Sequence, residues 1–131
     1  MRILGYSWVG IVTEDFEDTI RFFTEKLGLP LMRREDEAHF AHFRLPSGQL
    51  FEVFGPNNEY ARVHRSSCPV VGFEVEDVWA AREELAHRGV EFVTEVHDEG
   101  SKEDASWVYF RGPDGRLYEL QRPEQQYRMR Q

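Results

Sequence analysis

Only one cysteine, Cys68, occurs in the chain, so no intrachain disulfide can staple the fold. Basic residues are outnumbered, 16 against 24 acidic ones, giving a formal net charge of -8. A generic nucleic-acid binder needs a basic face, so the composition argues against that class. No apolar run approaches the roughly 20 residues that a membrane-crossing helix requires. The apolar start, Met1 to Val12, is short and ends at Glu14 and Asp15, which fits a first strand and not a signal peptide. Gly-rich phosphate loops and paired HxxxH metal motifs are missing too. Cys68 precedes Pro69 with no local Cys-His motif, so it reads as incidental to chemistry. The expectation is a cytoplasmic globular protein with no nucleic-acid or membrane partner.

What is present is enough for a core. The chain has 131 residues, 40% of them hydrophobic and 14% aromatic, which suits a single domain spanning 1–131. Inside it lies a repeat. Arg44-Leu45-Pro46-Ser47-Gly48-Gln49-Leu50-Phe51-Glu52-Val53-Phe54-Gly55-Pro56 returns as Arg111-Gly112-Pro113-Asp114-Gly115-Arg116-Leu117-Tyr118-Glu119-Leu120-Gln121-Arg122-Pro123. Val9-Gly10-Ile11 through Glu14-Asp15 likewise resembles Val71-Gly72-Phe73 through Glu76-Asp77. Two blocks repeated in order define modules at 6–56 and 70–123, with a polar connector over 57–69 and a polar tail over 124–131.

Each module reads as strand, helix, then three strands. The fold class is α+β: two tandem βαβββ modules forming curved mixed sheets with the helices outside. Tyr6 to Thr13 is rich in β-branched and aromatic residues. Asp15 and Asp77 are N-cap residues, because a carboxylate accepts a free first-turn amide hydrogen. Phe16, Ile20, Phe23 and Leu27 fall on one helix face, as do Val78, Ala81 and Leu85. Gly28 and Gly89 can close the helices in the left-handed conformation. Leu31–Glu35 and Val90–His97 read as strands, and Asp98 to Ala105 as an acidic, mobile loop. Pro46-Ser47-Gly48 and Pro113-Asp114-Gly115 suit three-residue hairpin turns. They set Leu45 opposite Gln49, Phe43 opposite Phe51, His42 opposite Glu52, Phe110 opposite Tyr118, and Tyr109 opposite Glu119. Strand alternation then puts Trp8, Phe40, His42, Glu52, Phe54, Trp107, Tyr109 and Glu119 on the sheet face away from the helices.

The paired βαβββ pattern resembles the vicinal oxygen chelate superfamily, which contains glyoxalase I, extradiol dioxygenases, and fosfomycin- and bleomycin-resistance proteins. The marks are Val9-Gly10-Ile11 to Asp15, Leu27-Gly28-Leu29, and Gly112-Pro113-Asp114-Gly115 to Tyr118-Glu119-Leu120. The resemblance implies open concave sites and often a dimer, so a homodimer is expected. In metal-dependent members, it implies ligands from the first and last strand of each module. Those positions here are Trp8, Glu52, Val70 and Glu119. Trp and Val offer a divalent cation no lone pair, and two carboxylates alone make a weak transition-metal site.

Glu52 and Glu119 interrupt apolar strands at equivalent places, so they are either ligand contacts or family relics, solvated in an open groove or paired with Arg residues. His42 beside Glu52 is either a general base or substitute ligand, or an ordinary cross-strand hydrogen bond. His64, His87 and His97 read as solvated. The rings of Trp8, Phe40, Phe54, Trp107 and Tyr109 either stack on a ligand or fill a groove or dimer contact. Aromatic walls beside carboxylates suit a flat or cationic ligand. The leading expectation is a small-molecule binding protein like the bleomycin-resistance branch, with no cofactor. The alternative is a metal-dependent lyase or dioxygenase in which Glu52, Glu119 and His42 hold a divalent metal ion. A third is an interaction domain whose groove a protein partner fills.

Overall fold

The computed structural model describes residues 1–129. Arg130 and Gln131, the end of the expected tail, lie outside the described residues. The chain divides into two compact units: Trp8–Val70, and Met1–Ser7 with the chain from Val71 onward. Each is an α+β arrangement of parallel and antiparallel strands.

The N-terminal unit contains most of β1 (Gly5–Val12), α1 (Phe16–Arg21), β2 (Leu31–Glu35), β3 (Phe40–Arg44), β4 (Leu50–Phe54) and a short α2 (Ala61–His64). β1 runs parallel to β4, β4 antiparallel to β3, and β3 antiparallel to β2. A two-residue alternation turns Ala41, Phe43 and Val53 toward α1, where Phe16 and Ile20 meet them. Burying side chains of this size stabilises by about 1.5–3 kcal/mol each. The Asp15 carboxylate accepts from Asp18 N at 3.1 Å and caps α1. The helix then widens into a π-turn over Phe22–Lys26, with Leu27 N donating to Phe22 O. That extra residue per turn rotates the face. Phe23 still packs on the core, but Leu27 is 53% exposed, against the helical-face expectation. Gly28, at φ +67°, ends the segment.

The C-terminal unit contains most of β5 (Val70–Glu74), α3 (Val78–His87), β6 (Glu91–Phe92), β7 (His97–Asp98), β8 (Ser106–Arg111) and β9 (Leu117–Arg122). β5 runs parallel to β9, which pairs antiparallel with β8. The Asp77 carboxylate caps α3 through Ala80 N at 3.0 Å. Val78 and Ala81 of α3 pack on Val108 and Leu120. The expected strand over Val90–His97 is broken. Only β6 and β7 pair with β8, because Tyr109 N donates to the Thr94 hydroxyl and not to a strand carbonyl. The loop expected to be mobile, Asp98 to Ala105, makes hydrogen bonds within itself and with Arg122 and Arg128. Gly100 N donates to Asp98, Glu99 N to Ala105 O, and Arg122 and Arg128 both donate to Lys102 O.

Both hairpins have the expected register. His42 faces Glu52 and Phe43 faces Phe51, while Tyr109 faces Glu119 and Phe110 faces Tyr118. The connector differs from its polar expectation. It folds into α2 and a following 3-10 turn (Arg65–Ser67), and buries Ala61, His64 and Ser67.

Candidate functional site

Glu52 in the N-terminal unit has both carboxylate oxygens engaged. Gly10 lies directly opposite Glu52 across the β1–β4 pair. A Cβ at Gly10 would sit 2.3 Å from the Trp8 ring, so the missing side chain is what leaves room for the indole there. From there Trp8 Nε1 donates to Glu52 Oε1 at 2.9 Å. His42 reaches the other oxygen from β3, with Nε2 2.9 Å from Glu52 Oε2. A carboxylate only accepts, so the imidazole nitrogen carries the hydrogen. The side chains of His42 and Glu52 retain only 19% and 13% exposure, which strengthens these bonds relative to water.

α2 covers this cluster. His64, expected to be solvated, is fully buried and packs edge-on against Trp8 and Phe54, with ring centroids at 5.6 and 4.8 Å. Tyr60 stacks on its other side at 6.0 Å. Burial holds the His64 pKa down to about 4. Trp8 and Phe54, each 2% exposed, are therefore inner surfaces of a packed cluster and not open walls. Phe40 and His42 form the accessible rim. Their rings lie 4.9 Å apart, and the Arg33 guanidinium sits 5.3 Å above Phe40.

In the C-terminal unit Glu119 lies between Gly72 of β5 and Tyr109 of β8. Both Glu119 and Tyr109 are 2% exposed. Trp107 stays half-buried and stacks on His97, with centroids 4.1 Å apart and planes 21° apart. His97 is thus a ring partner as well as a surface group. Sequence reasoning passed over Glu74, a carboxylate at the end of apolar β5 that is 1% exposed. Its interruption of the run from Val70 to Val75 was the available signal.

The residues present do not fit a chelated divalent metal. Trp8 and Val70 stand at the first-strand positions and offer no lone pair. Both oxygens of Glu52 already accept from N–H donors of its own unit. Among the described residues, no group of three or more His, Cys, Asp or Glu side chains is placed to hold an ion. What this arrangement can do is fix the orientation of the half-buried His42 ring beside Phe40.

Paired βαβββ units, with a carboxylate on the last strand of each, define a glyoxalase-like protein of the vicinal oxygen chelate type. Residues 5–120 match the model of the Glyoxalase/Bleomycin resistance protein/Dioxygenase superfamily, and the chain belongs to that superfamily. The uncharacterized protein YraH of Bacillus subtilis is 27% identical over 120 residues, 86% of this chain and 93% of that one. Among solved structures, methylmalonyl-CoA epimerase from Mycobacterium tuberculosis superposes with TM-score 0.72 at 23% identity, covering 92% of this chain and 89% of that one. A Streptomyces coelicolor methylmalonyl-CoA epimerase in complex with 2-nitronate-propionyl-CoA superposes with TM-score 0.69 at 16% identity, covering 93% and 99%. At these identities the likeness is one of fold. No helix among the described residues is long and apolar enough to cross a membrane.

Proposed function

We propose that the chain is a small-molecule binding protein of this superfamily that holds its ligand without a metal, as in the bleomycin-resistance branch. The observation that carries this reading is Glu52. At a position where metal-dependent members supply a ligand, its carboxylate is committed to Trp8 and His42. The net charge of -8 favours a cationic ligand at long range. Phe40 remains half-exposed beside His42 for stacking on a flat ring, which contributes about 0.5–2 kcal/mol per cation–π contact. The working form is a homodimer, a reading supported by exposed Phe22, Leu27, Leu31 and Met32.

The test is calorimetric titration at low salt with an N-methylacridinium cation and an acridine carboxylate of similar shape. The cation binds more tightly, and Phe40→Ala weakens both. Equal affinity for the two would remove the electrostatic part of the proposal. Unchanged binding in Phe40→Ala would place the site elsewhere.

A further inference from the structure

The C-terminal unit holds an open pocket of about 880 Å³, a size suited to a small organic ligand. It is walled by Met1, Arg2 and Leu4, the end of β5, the first turns of α3, Lys102 and Glu103, and the last described residues of the chain. None of the eight site residues expected from the sequence lines it.

Three buried polar atoms of its lining residues have no hydrogen-bond partner: Glu84 Oε2, which is ion-paired with Arg88 at 3.2 Å, Glu74 Oε1, an acceptor, and Arg122 Nε, a donor. The other oxygen of Glu74 accepts from Met129 N at 2.9 Å. Burial raises the Glu74 pKa, and the Arg128 charge offsets this only in part. A buried carboxylate oxygen left unanswered costs free energy that a bound donor would recover. On the other side, Arg122 and Arg128 both donate to the Lys102 carbonyl. Two guanidiniums converging on one carbonyl repel each other, and an anion between them relieves that repulsion. The pocket's other walls alternate sign, with Glu76, Glu103, Arg2 and Lys102 among them. A ligand of one charge would meet its own sign within the pocket, whereas a ligand carrying both would not.

We propose that this pocket binds a small zwitterion, whose ammonium group donates to Glu74 Oε1 and whose carboxylate accepts from Arg122 Nε. It is a site separate from the Glu52 cluster and independent of the function proposed above. Met129 reports occupancy, because its amide hydrogen already bonds to Glu74.

The probes are an ω-amino acid series from glycine to 6-aminohexanoate, with butylamine and butyrate as single-charge controls. Each is titrated into the full chain and followed by the Met129 amide and Arg122 Nε–H resonances. At least one amino acid gives saturable shifts at both, with affinity about tenfold or more above either control, a difference of about 1.4 kcal/mol. Glu74→Gln abolishes the preference over butyrate, and Arg122→Gln abolishes the preference over butylamine. Should Glu74→Gln fail to fold, Arg122→Gln on the half-exposed rim decides alone. No saturable shift with any member, binding of butyrate or butylamine as tight as the best amino acid, or undiminished selectivity in Arg122→Gln would overturn the proposal.

Discussion

Glycine 10 and tryptophan 8 act as one unit, since the indole occupies the space that a side chain at Gly10 would need. Gly10→Ala pushes that ring off Glu52 and lowers stability by about 1–3 kcal/mol through overpacking. Trp8→Phe keeps a ring but removes the N–H, leaving Glu52 Oε1 without its donor, at a cost of about 1–3 kcal/mol. Urea unfolding of both variants checks this, and wild-type stability in either would contradict the packing described. His64 makes stability depend on pH. Its folded pKa, about 4, lies below the ordinary 6.5. Between those values the unfolded chain binds a proton that the folded chain does not. Stability therefore falls as pH drops through this window, by up to roughly 3 kcal/mol. Glu74, raised by burial, works in the opposite direction on the acid side, so the comparison must be wild type against His64→Gln. The variant should lose less stability from pH 7 to pH 4, and parallel losses would mean that His64 is not buried neutral.

At the scale of elements, turn and cap chemistry explains why the register was legible. Gly48 and Gly115 take φ of +101° and +81°, as three-residue hairpins demand, and the His42–Glu52 pairing follows from the first of them. Asp15 and Asp77 cap their helices as residue type and position predict. Asp77→Ala should cost about 1 kcal/mol, within a range of 0.5–2, because Ala80 N loses its acceptor. Thermal unfolding measures it, and an unchanged midpoint would show that the cap is replaced by water. Elements set by tertiary contact were not legible. The π-turn that exposes Leu27 leaves the spacing of Phe16, Ile20 and Phe23 looking like an ordinary helix. α2 lies in a sequence of polar appearance, and nothing local says that His64 will be packed between Trp8, Phe54 and Tyr60. In the N-terminal unit, Trp8, Phe40, His42, Glu52 and Phe54 were legible as neighbours because strand alternation fixes sidedness. Which of them stay accessible depends on what covers them, and a connector helix covering Trp8 and Phe54 has no strand-periodic signature.

For the whole molecule, the proposed homodimer is checked by light scattering at micromolar concentration, where twice the chain mass is expected and a monomer mass throughout would reject it. The central claim is that a glyoxalase-like chain has given its chelating position to an internal hydrogen-bond cluster. The most direct measurement is calorimetric titration of chelator-treated protein with Zn²⁺, Ni²⁺, Mn²⁺ and Fe²⁺, paired with elemental analysis of protein from metal-supplemented growth. The account predicts no saturable site of one metal per chain and no stoichiometric metal after growth. One tightly held metal per chain, lost in Glu52→Gln or Glu119→Gln, would contradict it.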